Sequence, residues 1–266
     1  MSPITRGQKL FFIVICAAAL LVAVLGLFAP QKLAAIFTWL TLPPLHARFV
    51  GAIYLFGAVF MAGCLLARRQ AAVRPAFPMI GIWTGMLFII SLLHLEAFDF
   101  SQLPVWIWFA SYLIYPLIAV RMTLKYTRRS STDKLQEQNL PGWAVGFLLV
   151  QGVIVTLLAL MLFIFPSLMS SLWPWKVTPL LAQMYAGPLL SYGVGSLMYA
   201  RQRAWSEIRP VVPAMLAFTL ITLVVSMMHR NLFSASELTD WIWFVLFGAG
   251  SVGLGALTAQ AVRKGE

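Results

Sequence analysis

Residues 44–109 align with residues 179–244 at a constant offset of 135 without a gap, and nineteen of the sixty-six positions are identical. A chain with such self-similarity reads as one unit written twice, which limits its folds to those that seat two copies of the unit. The shared positions include Arg68/Arg203, Arg74-Pro75/Arg209-Pro210, Thr84/Thr219, Ser91/Ser226 and His94/His229, and Trp106-Ile107-Trp108-Phe109 returns as Trp241-Ile242-Trp243-Phe244. With one residue of slip the match extends upstream, pairing Pro30 with Pro166 and Trp39 with Trp175.

The unit is built for a bilayer. Of 266 residues, 61% are hydrophobic and 10% charged, far too apolar for an ordinary soluble domain. Apolar runs long enough to cross a hydrocarbon core of about 30 Å fall near 9–29, 45–67, 77–95, 104–122, 143–165, 180–200, 210–229 and 240–262. The expected fold is therefore an all-α polytopic membrane protein with eight transmembrane helices, four per repeat. A four-helix unit begins and ends on one side, so the copies are parallel and related by a pseudo-two-fold along the membrane normal. The expected division is a first repeat over 1–122, a cytoplasmic basic linker over 123–142 and a second repeat over 143–266.

Orientation follows from the basic residues. Only Lys32, Arg48, Lys176 and Arg230 fall in the odd-numbered connections, whereas the other fifteen of the nineteen Lys and Arg lie at the termini and the even-numbered connections. Both termini are thus expected in the cytoplasm, and the compact loops suggest a bacterial inner membrane. This asymmetry, with attraction to anionic head groups, accounts for the net charge of +11, so no nucleic-acid partner is expected. The first run resembles a signal peptide but aligns with the internal fifth span, and it is read as a retained helix. Cys16 and Cys64 occupy unrelated repeat positions inside apolar runs, as buried small hydrophobes do.

Seven of the ten tryptophans, including Trp106, Trp108, Trp241 and Trp243, fall on the outer side of this topology. Two roles fit them: anchoring at the head groups, or walling an outward-facing cavity for an apolar ligand. The stretches Pro30–Pro44 and Pro166–Pro179 carry apolar residues at helical spacing and read as short amphipathic segments along the interface.

On the third span Thr84, Ser91 and His94 share one side of a helix, and Thr219, Ser226 and His229 repeat the stripe on the seventh. Polar groups in lipid need protein partners, so the structural account is interhelical bonding, with the histidines meeting nearby indole N–H groups. The alternative has the two equivalent imidazoles ligating a b-type haem or metal, or binding a quinone carbonyl. The outer charges, Arg48 among them, are expected to form a solvated rim; the alternative has Arg48 bind an anionic group or pair with Glu96. Gln151 is expected to hydrogen-bond between helices. With no Asp, Glu, Lys or Arg near the centre of any span, proton-coupled transport is disfavoured, and no nucleotide loop, zinc helix or nucleophile elbow supports hydrolysis. The sequence reading is a non-enzymatic permease or carrier for a small or lipid-like molecule, with no cofactor. A redox protein using His94 and His229, and an assembly subunit binding a membrane-protein partner, are the alternatives.

Overall fold

The computed structural model describes residues 3–127, 139–202 and 205–263. Most of the basic linker, with Arg128, Arg129 and Lys134, lies outside the described residues, as do Arg203 and Lys264. The described chain forms helices and no strand: α1 (Arg6–Phe28), α2 (Pro30–Ile36), α3 (Pro44–Leu66), α4 (Gln70–Val73), α5 (Ala76–Leu93), α6 (Leu103–Thr127), α7 (Gly142–Ile164), α8 (Pro166–Leu172), α9 (Pro179–Gln202), α10 (Trp205–Ile208), α11 (Val212–Met228) and α12 (Leu238–Arg263). Local chemistry sets many boundaries. Thr5 and Gln8 form a capping box that starts α1, and proline opens α2, α3, α8 and α9, where its missing N–H costs nothing. The expected interfacial segments are the short helices α2 and α8.

Six stretches are long and apolar enough to cross a membrane: Arg6–Phe28, Pro44–Leu66, Gln70–Leu93, Leu103–Lys125, Gly142–Ile164 and Leu238–Ala261. Two further helices stand where the sequence places spans, α9 being less apolar and α11 shorter. Burial explains the polarity of α9, since sixteen of its residues are buried, Gln183, Ser191 and Ser196 among them. The helices α1, α6, α7 and α12 instead point large apolar side chains outward, as with Leu21 at 61%, Leu117 at 63%, Val150 at 58% and Val252 at 76% exposure. Hydrophobic groups displayed over whole helix faces fit a lipid solvent and no aqueous one.

Two tight hairpins, α1 with α3 and α7 with α9, form the main internal pairings, and α6 and α12 pack on α5 and α11. The halves then interlock: α3 lies against α11, and α9 against α5. Within the first hairpin the backbones touch at glycine, where a Cβ on Gly26 would stand 2.7 Å from the Gly51 Cα. At one end α4 and α10 meet. At the other, the connectors holding α2 and α8 converge with the turns after α5 and α11, as Trp39 stacks on Phe98 (5.2 Å) and Trp175 meets Phe233 edge-on (5.8 Å).

Candidate functional site

The paired hairpins leave a gap in each half. The first, about 400 Å³, lies between the α1–α3 hairpin and the α5–α6 pair, with Phe56, Phe60, Met79, Trp83 and Thr84 at its back. The second, about 270 Å³, lies between α7–α9 and α11–α12, backed by Phe49, Leu189, Tyr192, Phe218 and Thr219. Exposed residues edge both: Ala18 and Leu21 of α1 face Ile107 of α6, and Val150 and Ile154 of α7 face Leu246 and Ala249 of α12. Each mouth therefore opens sideways, through a face clad in exposed hydrocarbon. The sequence led to one outward-facing cavity, whereas the described residues form two main lateral ones, each chiefly within one half and backed by a residue of the other, Ser191 in the first and Phe49 in the second. The reason is the interlock, because α3 and α9 occupy the centre and fill the space between the halves with Phe49, Tyr185 and Tyr192.

Aromatic rings close the connector end of each cavity. Phe37, Trp39 and Trp108 pack at 4.9 to 5.4 Å in the first, and Trp173, Trp175 and Trp243 at 4.8 to 5.6 Å in the second. The Trp-Ile-Trp-Phe tetrapeptides thus divide their labour. Trp106 and Trp241, both 57% exposed, turn outward and donate to the carbonyls of Phe100 and Ala235. Trp108 and Trp243, both 6% exposed, turn inward and line the cavities. An exposed ring and a cavity-lining ring are thus separated by two positions on one helix.

The polar stripes sort in the same way. Thr84 and Thr219 line the cavities, with their hydroxyls donating to the carbonyls of Ile80 and Leu216 on their own helices. Ser91 and Ser226 are buried, and each accepts the indole N–H of the inward tryptophan, at 2.8 Å from Trp108 and 3.0 Å from Trp243. The indoles thus go to serine, and the expected histidine–indole contact is replaced by contacts that join the halves. His94 Nε2 lies 2.6 Å from Gln183 Oε1, so the imidazole donates, and Gln183 Nε2 donates to Phe163 O. His229 Nε2 lies 2.7 Å from Arg48 Nη1, so the imidazole accepts, and Arg48 Nε donates to Leu27 O. Gln183 is the residue that aligns with Arg48. Arg48 therefore meets His229 and not Glu96, which lies beside His94 Nδ1 at 3.6 Å.

His229 follows the last residue of α11, and burial, then the Arg48 charge, draw its imidazole below the usual range. That agrees with a neutral ring accepting from a guanidinium. The rim charges also differ from a uniformly solvated set. Asp240 is buried and accepts the Ser234 N–H at 2.6 Å. Exposed Asp99 organises its loop through Ser101 and Gln102, whose side chains hold the carboxyl below its usual range. Gln151 bridges helices to Ser196 at 2.9 Å while lining the second cavity. Sequence reasoning passed over the tyrosines of the first cavity, Tyr54, Tyr112 and Tyr115, because none has a tyrosine at its aligned position. Comparison with protein-family models, with curated proteins and with solved structures finds no match for this chain.

Proposed function

We propose that this chain is an eight-span protein of the bacterial inner membrane, with both termini cytoplasmic, and that it carries a lipid-like molecule in two lateral cavities, one per half. The observation that carries the reading is the pair of apolar cavities opening between α1 and α6 and between α7 and α12. A mouth that faces hydrocarbon admits a ligand already dissolved in the bilayer, and apolar walls of this size suit a chain or a flat ring. Two features support the eight-span count. The chief polar helix, α9, is shielded by α7 and α5, and α11, at 17 residues, extends about 25 Å at the helical rise. The pseudo-two-fold is supported by bonds recurring at one offset: Trp108 to Ser91 with Trp243 to Ser226, and His94 to Gln183 with His229 to Arg48. A haem held through the Nε2 atoms of His94 and His229 would require Gln183 and Arg48 to release them, so the carrier reading asks less of the geometry.

The test is the lipid content of the purified protein. Ser111→Trp and Ala249→Trp place an indole at each mouth, on cavity-lining residues of which Ser111 is half-buried and Ala249 exposed. Extraction and mass spectrometry are expected to find a chain-bearing molecule on the wild type, less of it on either variant and background amounts on the double variant. Equal lipid on wild type and double variant would overturn the reading.

A further inference from the structure

The two cavities differ in chemistry. Along α6 the first cavity is lined by Ser111, Tyr112 and Tyr115, and Tyr54 faces it from α3. The aligned positions of the second half are Leu246, Phe247, Gly250 and Leu189, all apolar. The second cavity keeps its polar groups elsewhere, on Gln151, which is engaged with Ser196, on Thr219, which donates to Leu216 O, and on Tyr192. Hydroxyls thus stand on the α6 wall of the first cavity and not on the corresponding α12 wall of the second.

Within that wall the phenol oxygens of Tyr54 and Tyr112 are hydrogen-bonded to each other. Each phenol carries one hydrogen, and only one of the two can lie between the oxygens. The second hydrogen needs another acceptor, and none appears among the hydrogen bonds of the described residues. Tyr112 is 8% exposed, and a donor left without a partner in such surroundings is costly. Both rings line the cavity, so its interior is the space from which an acceptor can reach the pair.

We propose that the first cavity selects a chain-bearing molecule with a carbonyl oxygen, which accepts the free hydrogen of the Tyr54–Tyr112 pair while the chain lies against Phe56, Phe60 and Trp83. This rests on the lipid-carrier reading and narrows it to the oxygen that the phenol pair of the first cavity would meet. A quinone with an alkyl tail and an acyl ester share this chemistry, and the test separates them.

The experiment measures binding of three tritiated probes to the detergent-purified full chain by scintillation proximity: a decyl-substituted benzoquinone, a chain-matched alkyl ester and the corresponding alkane. Wild type is expected to bind at least one oxygen-bearing probe about tenfold more tightly than the alkane, the scale of one hydrogen bond in a dry site. Preference for the quinone would identify a redox lipid, and preference for the ester an acyl lipid. Tyr54→Phe with Tyr112→Phe is expected to erase the preference while alkane binding persists, which separates lost recognition from lost folding. Equal binding of all three probes by wild type would overturn the carbonyl proposal and leave the cavity reading standing. Binding of no probe would overturn both.

Discussion

His94 and His229 hold equivalent places in the sequence, yet their partners make them chemically different. His94 donates to the neutral amide of Gln183, whereas His229 must accept from a guanidinium. Because His229 is held below the ordinary imidazole value of about 6.5, the unfolded chain takes up the proton first as pH falls. Stability is therefore greatest above the unfolded value and falls as pH drops through the lower folded one, first because burial disfavours the charged ring and second because the Arg48 charge repels it. The thermal midpoint in detergent should fall between about pH 7.5 and 5.5, within the range where imidazole titrates. Arg48→Gln, which copies the pairing of the other half, should flatten that fall; parallel pH profiles for the two proteins would show that the contact contributes nothing. At this scale the duplicated residues were legible but their pairing was not. Ser91, Trp108, Ser226 and Trp243 stand out as retained in both halves, yet the sequence pointed the indole N–H groups at the histidines, and they go to the serines. It was misleading where one partner had changed, because Arg48 opposite Gln183 read as divergence when both reach a histidine of the other half.

Between elements, the hairpin of α1 with α3 depends on backbone contact that no side chain can cushion. A Cβ on Gly51 would sit 2.8 Å from Leu27 N and 3.1 Å from Ala23 O. Gly51→Ala should cost about 1–3 kcal/mol, the usual range for overpacking. On α7, Gly146 has nothing within 4 Å of a Cβ, so Gly146→Ala should be neutral or slightly stabilising through helix propensity. Denaturation in mixed detergent reads both; a Gly51→Ala protein as stable as Gly146→Ala would show that the hairpin tolerates wider spacing. Helix positions were legible in the sequence because lipid demands long apolar runs. The neighbours of each helix were not, since α3 packing on α11 and α9 on α5 joins residues far apart in the chain and leaves no local period. Only the modest apolarity of α9 hinted that it is enclosed by protein.

Across the whole molecule, the arrangement is two hairpins exchanged between two helix pairs. The exchange fills the centre and moves the free volume outward, to the lateral gaps between α1 and α6 and between α7 and α12. Nothing in the spacing of residues along any one helix encodes those gaps; they arise because hairpin and pair diverge above Phe12 stacked on Phe77 (5.4 Å) and below the Phe37–Trp108 contact. The central claim is that a lipid chain enters them. The most direct measurement is photocrosslinking in nanodiscs with a phospholipid bearing a diazirine on its acyl chain, followed by mapping of the adducts by mass spectrometry. Adducts on Phe56 and Phe60 in the first half and on Tyr192 and Phe218 in the second are expected, since these residues are buried from the surrounding lipid yet line the cavities. Adducts confined to outward residues such as Leu20, Leu113, Val153 and Val245 would contradict the account.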